Sequence, residues 1–267
     1  MKASITLAEP GKRKTPLPSR VMAAAFWLLV WQGAYWAVGK DLILVSPLTC
    51  LERLLALMVR PDFWGIVAGS LGRILAGFFL GLVLGILIAA ATARWQFLYP
   101  LFSLPMNIIR ATPVASFAIL ALLFLSGPGF SIFIAFLMVL PLVWSNVHEG
   151  LTHLDPQLLE MARVFRLPRS AVLKQIIFPS TLPYLLSAVR VGLGFCWKAG
   201  VAGEVIAIPA NAIGTQLYNA KVYLETGDLF AWTAVIILLS MALEQCAVWL
   251  LDRGAKRLHL QKEGKGC

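Results

Sequence analysis

The chain has 267 residues, of which 59% are hydrophobic and 13% charged, with a formal net charge of +10. Its mean hydropathy of +0.80 excludes an ordinary soluble domain, which needs more polar surface to cover its core. The basic residues gather in the two tails and beside apolar runs, which argues against a nucleic-acid-binding stripe.

Six apolar runs are long enough to cross a bilayer as helices, which takes roughly 20 residues each. They cover about residues 21–38, 66–92, 106–125, 130–147, 184–208 and 229–251. The expected fold is therefore an all-α integral membrane bundle: an N-terminal tail 1–20, a membrane domain 21–251 and a C-terminal tail 252–267. With the N-terminus inside, the internal segments hold fifteen Lys and Arg and the external ones four. Positively charged loops stay on the cytoplasmic side, so both termini are expected there, in a bacterial inner membrane.

Between the first two runs, "SPLTCLERLLALMVRPDFW" reads as an external amphipathic helix. Ser46 caps it, Pro47 suits its first position and Pro61 ends it. Leu48, Leu51, Leu55 and Met58 make one apolar edge, expected to pack along the outer interface.

The apolar pattern is interrupted at 148–183 by a charged stretch containing "DPQLLEMARVFRLPRSAVLKQIIFPSTLP". Asp155 can cap a helix that begins at Pro156, with Leu154 stapled onto Leu159. Leu158, Ala162 and Phe165 share a face, and Pro168 breaks the helix. A second short helix carries Val172, Leu173, Ile176 and Ile177 and is expected to end at Phe178-Pro179, with Pro183 opening the next span. So long a polar connection reads as a docking knob for a cytoplasmic partner or as a solvated loop beneath the bundle.

The membrane permeases of ATP-binding-cassette importers carry a cytoplasmic Glu-Ala-Ala signature at this place. A Gly follows four residues after the second Ala, and Ile-x-Leu-Pro comes further on. Glu160, Ala162, Ile176 and Pro179 match that pattern, while Met161, Arg166 and Phe178 depart from it. The glycine normally allows the turn between the helices; "RLPRS" offers proline instead. Further blocks, "SLGRILAGFFLGLVLGILIA", "RATPVASFAILALLFLSGPG" and "LPYLLSAVRVGLGFCWKAGVAGEVIA", resemble the nitrate, sulfonate, taurine and thiamine-precursor permeases in the same order.

That resemblance implies a type I importer permease fold, an N-terminal span plus a five-helix core. It also implies a homodimer of permeases, two separate ATPase subunits and an extracytoplasmic binding protein. The coupling residues it implies are Glu160, Ala162, Ile176 and Pro179; the shape of the knob adds Arg163 and Phe165. The chain holds no GxxxxGK[ST] phosphate loop, so ATP and Mg are expected on the partner, with no cofactor and no catalytic residue here.

Ionisable groups at membrane depth are costly and usually face a bundle interior. Arg190, Gly194, Trp197, Lys198, Val201 and Glu204 read as one broad stripe, with Arg73 able to pair with Glu204. These residues and Asn107 are the candidates for a translocation pathway suited to a small anionic or zwitterionic solute. Buried pairing that fixes helix register is the alternative for Arg73 and Glu204. Asn107, Arg110 and Asn146 could form a gate or cap helices, and Glu244 can snorkel. His148 and His153 read as solvated loop residues with no metal role, and Cys50, Cys196, Cys246 and Cys267 as unpaired. An ion-coupled secondary transporter or a membrane scaffold is the competing assignment; a carrier would show internal repeats.

Overall fold

The computed structural model describes residues 17–263; the N-terminal tail up to residue 16 and the last four residues, Cys267 included, lie outside them. In chain order come α1 (Leu17–Val38), α2 (Pro47–Val59), α3 (Phe63–Arg94), α4 (Leu98–Ala111), α5 (Val114–Ala121) and α6 (Pro128–Thr152). Then follow α7 (Pro156–Val164), α8 (Arg169–Val172), a π-helical turn (Leu173–Ile177), α9 (Phe178–Ala207), α10 (Ile213–Val222) and α11 (Thr226–Glu263). No strand occurs among the described residues.

The core is a trio of close-packed helices, α3, α6 and α9. On α3, Gly77, Gly81 and Gly85 face α6 at a four-residue spacing. A Cβ at Gly81 would stand 2.9 Å from the Val139 Cβ, and one at Gly85 2.8 Å from the Val143 Cβ; at Gly77 it would strike the Ile132 carbonyl. Lipid tails are as apolar as leucine, so helices in a bilayer associate through such close backbone packing rather than through the hydrophobic effect.

The register of these contacts fixes the topology. Residues 77, 81 and 85 of α3 meet α6 progressively further along its chain, and Thr92 meets Trp144 and His148. The two helices therefore run parallel. A chain leaving the end of one must cross the membrane to begin the other. The crossing is made by α4 and α5, bent by 104° at Thr112–Pro113. Thr112 and Pro113 both have extended backbone, because the proline ring disfavours helix at the residue before it. The single straight third span expected over 106–125 is thus two helices meeting at an elbow. With α1, α3, α6, α9 and α11 it gives up to six crossings.

At one end of the trio α6 leads into α7, which projects as a knob. Its root is clamped: Thr181 Oγ1 donates to the Gly150 carbonyl at 3.3 Å, and a Cβ on Gly150 would lie 2.9 Å from the Tyr184 ring. The short helix after α7 does not end at Phe178-Pro179 as expected. It runs without a break from Arg169 to Ala207. The Phe178 N–H bonds to the Leu173 carbonyl, five residues back, and this widened turn gives the ring of Pro179 room that a regular helix lacks. The irregular part of the 148–183 stretch accordingly shrinks to the few residues around α7.

At the opposite end, Ser46 caps α2 by accepting from Thr49 N–H at 3.1 Å. The α2 surface that packs inward is Cys50 and Leu57; the edge of Leu48, Leu51, Leu55 and Met58 is exposed. The helix is apolar on both sides, so spacing alone could not choose between them. α1 is anchored at Trp31, which donates to the Val45 carbonyl at 3.0 Å and stacks on Phe230.

Gly81→Leu is expected to force α3 off α6 and destabilise the bundle by about 1–3 kcal/mol, as overpacking does, read as a lowered melting temperature in detergent. Gly72→Leu, on the same helix with open space at its Cβ, is expected to melt with the parent. Equal melting of both would remove the glycine contact.

Candidate functional site

Three groups of side chains carry chemistry. The first is the knob. Asp155 caps α7 by accepting from the Gln157 N–H at 2.9 Å, with Pro156 at the first helical position. The helix ends in a left-handed turn: the Leu167 N–H returns to the Ala162 carbonyl at 2.9 Å and the Arg166 N–H to Arg163 at 3.1 Å. This is a Schellman closure, which favours glycine at the left-handed position. Arg166 occupies it with φ +49°. The turn expected to be made by proline is therefore made by the arginine itself, with Pro168 only keeping the chain extended afterwards.

Ala162 and Ile176 are buried in the chain, so they shape the knob from within. Glu160, Arg163, Arg166, Arg169 and Lys174 are exposed. Between them lie Leu158, Met161, Val164 and Phe165, and the last two are 79% and 72% exposed. Pro179 is half-buried at the root.

The second group lies at the far end. Glu204 is completely buried. Arg73 Nη2 meets its Oε1 at 2.8 Å and Nε at 3.2 Å. The other oxygen, Oε2, accepts from Ser70 Oγ at 2.8 Å and from the Gly214 N–H at 3.2 Å. Ser70 Oγ in turn accepts from the Ile213 N–H at 2.8 Å, and Arg73 reaches the Asn211 carbonyl at 3.0 Å. The carboxylate thus sits on the open amides that begin α10, where a helix terminus favours negative charge. This network fastens the loop 208–212, with Ile208 and Asn211 left-handed, onto α3 and α9. Both oxygens of Glu204 are occupied within the chain, in keeping with the register-fixing alternative.

The third group is on α9, and the broad stripe read from the sequence divides there. Trp197, Val201 and Glu204 point into the bundle; the Trp197 indole donates to the Ile236 carbonyl of α11 at 3.1 Å. Lys198 is exposed on the flank of α9 that also carries Ser187 and Val191, and Arg190, two turns before Trp197 on the same side of the helix, is exposed as well. A stripe of six positions at helical spacing is wider than either face, which is why it could not be resolved by periodicity.

Asn107 is exposed on α4, Arg110 donates to Ser145 Oγ at 2.6 Å, and Asn146 donates to the Leu142 carbonyl of its own helix at 2.8 Å. Glu244 is exposed on α11. His153 is exposed, but His148 is not the solvated loop residue expected. It lies in α6, with Nδ1 3.0 Å from Thr92 Oγ1 and its ring against Tyr99 and Trp144. α6 simply runs further than its apolar stretch. Among the described residues Cys50, Cys196 and Cys246 are unpaired.

Two parallel helices crossed by an antiparallel third, a broken span and a charged knob between two long helices define a permease of the type I importer fold. Comparison with known proteins agrees. Residues 81–259 match the family of binding-protein-dependent transport system inner membrane components, and the chain belongs to that family: it is a permease subunit of an ATP-binding-cassette importer. It is 28% identical to the nitrate import permease protein NrtB of Synechocystis, over 82% of this chain and 86% of that one. It is 27% identical to the taurine transport system permease protein TauC of Escherichia coli, over 87% and 88%. Its fold matches a chain of the MetNI methionine ABC transporter, solved in inward-facing conformations, with a TM-score of 0.58 at 19% identity over 76% of this chain and 98% of that one. Membership of the family removes the ion-coupled carrier and the scaffold.

Arg73→Met is expected to leave the Glu204 carboxylate buried without its cation and to cost about 3–5 kcal/mol. The double change of Arg73→Met with Glu204→Leu is expected to recover part of that loss. Melting of the three proteins in detergent decides it; additive losses would mean that the two side chains do not interact.

Proposed function

We propose that two copies of this chain enclose a path for a small anionic or zwitterionic solute of the nitrate, taurine or sulfonate kind. Two copies of a separate ATP-hydrolysing subunit, which hold the ATP and Mg, seat on the two knobs. An extracytoplasmic binding protein delivers the solute at the opposite end. The knob and both termini face the cytoplasm, in line with the excess of Lys and Arg in the segments at that end.

The observation that carries this reading is the exposure of Val164 and Phe165 at the tip of a knob that stands beyond the apolar spans. Burying one such side chain gains about 1.5–3 kcal/mol, and an apolar patch with a charged rim marks a protein contact. Glu160, Arg163 and Phe165 make that contact; Ala162, Ile176 and Pro179 give it its shape. Because the root is clamped between α6 and α9, the ATPase would move the trio as one body, and alternating access follows from rocking one copy against the other.

The solute class rests on the exposed face of α9. At 1.5 Å per residue, Lys198 lies about 14 Å and Arg190 about 26 Å from the outer end of α9. Cations at that depth are costly against lipid, so this face belongs against the second copy and a hydrated path. Guanidinium and ammonium groups there suit an anion, as do the solutes named for the nitrate and taurine relatives. Trp197, Arg73, Glu204 and the exposed Asn107 support the path from behind or at its mouth.

Phe165→Glu is expected to abolish co-purification of the ATPase while the permease still folds; retention of the ATPase would remove the docking face. Lys198→Ala is expected to leave the assembly intact and slow uptake of a sulfonate or nitrate into proteoliposomes several-fold. Uptake at the parental rate would retire the anion path.

A further inference from the structure

Thr92, Tyr99, Trp144 and His148 have no part in the roles assigned above, yet they join α3, α4 and α6 just where the knob begins. Thr92 is buried and its hydroxyl lies 2.9 Å from the Ile88 carbonyl of its own helix. Its oxygen accepts from the Trp144 indole at 3.2 Å and stands 3.0 Å from His148 Nδ1. A hydroxyl has one proton and two lone pairs. With the proton on the carbonyl and one lone pair on the indole, the second lone pair takes an N–H from His148. The imidazole is thereby fixed in rotation as well as in place.

Against this fixed pair lies Tyr99, the second residue of α4. Its ring is 4.8 Å from that of His148 and 5.7 Å, stacked, from that of Trp144. The rest of α4 is lightly held. Met106 is its one buried side chain, Phe102 packs half-buried against the core, and Arg110 bonds to Ser145. Beyond it, the elbow at Thr112–Pro113 has only two extended residues to absorb a change of angle. An apolar cavity of about 10 Å³ lies under the elbow, between Ile109, Val114, Phe117, Ile134 and Met138. Its lining is apolar apart from Thr112, whose hydroxyl donates to the Ile108 carbonyl at 2.7 Å, so it leaves a little slack for these side chains to repack.

The trio, in contrast, has no slack. Glycines at its crossings put backbone against side chain at van der Waals contact or closer, and such packing moves as a block rather than deforming. A block that tilts must drag α4 by whatever joins them. At the knob end that join is the short link 95–97 and the Tyr99 ring.

We propose that Tyr99, gripped by His148 and Trp144, is the positioning residue that carries a tilt of the trio into the elbow of the broken span. Tyr99 touches no solute and binds no nucleotide; it sets where α4 begins, and through α4 the angle of α5. The proposal rests on the reading that an ATPase drives the knob.

The test uses the assembled complex of permease, ATPase and binding protein in lipid, with Val83→Cys on the exposed side of α3 and Ile119→Cys on α5 spin-labelled, and Cys246→Ser with Cys267→Ser to keep the label off native thiols. Distances between the labels are compared without nucleotide and with ATP trapped by vanadate. In the parent the distance is expected to shift on trapping. In Tyr99→Ala, and in Tyr99→Leu, which keeps apolar bulk for folding, the shift is expected to fall to less than about a third while ATP hydrolysis continues. Tyr99→Phe, which keeps the ring, is expected to restore it. A full shift in the alanine and leucine variants, or none in the parent, overturns the proposal. Failure of the ATPase to assemble on the parent chain is seen separately by co-purification; it sinks the docking reading and this proposal with it.

Discussion

Everything in this fold hangs on the parallel contact of α3 with α6 through Gly77, Gly81 and Gly85. In lipid there is no hydrophobic force to hold two helices together, so only close approach and internal hydrogen bonds can do so. A ladder of glycines gives that approach, and the parallel direction it imposes has a consequence for connectivity. The segment between the two helices must recross the membrane. It does so as an elbow rather than a rod, because Pro113 lies in the middle of the only stretch available.

The same contact sets what can move. With α9 laid antiparallel across both, and Gly200 pressed on Ile74, the three helices form a single body that includes the root of the knob. The two ends of that body are finished differently. At the far end the buried Arg73–Glu204 pair spends its hydrogen bonds on the loop into α10, making a rigid seam out of a buried charge. Such a pair gains little net stability but is costly to break, so it serves to hold one arrangement of α3, α9 and α10. At the knob end the body carries apolar side chains in the open, which is a cost to this chain alone and a gain once a partner covers them. Rigidity at one end and an exposed apolar surface at the other are the two features on which the proposed seating of a separate ATPase rests.

The elbow is the opposite in character. It has few anchors, two extended residues and a small, mostly apolar cavity beneath it. Its lightness is a direct result of the helix count: six crossings around a three-helix core leave α4 and α5 with only part of a face to pack. Hence the importance of the rings at the start of α4, where a short aromatic stack does what extended packing does elsewhere.

Much was legible in the residues themselves. Apolar runs, tail charges and the caps at Ser46 and Asp155 determined the class, the number of crossings and the position of the knob, because each depends on chain-local physics: transfer to lipid, hydration of charge, and orphan amides at a helix start. The Arg73–Glu204 pairing could also be foreseen, since two opposite charges at membrane depth need a partner. What only the tertiary structure decided was direction and facing. Periodicity put Trp197 and Lys198 in one stripe, but the neighbours of α9 turned one inward and the other out. It left His148 in a loop, yet α6 ran on because Thr92 and Tyr99 were there to meet it. The glycine missing at position 166 was replaced by an arginine held in the left-handed region, which the surrounding hydrogen bonds enforce. A side chain's orientation is set by what stands across from it, and that is a property of the packed bundle, not of the local sequence.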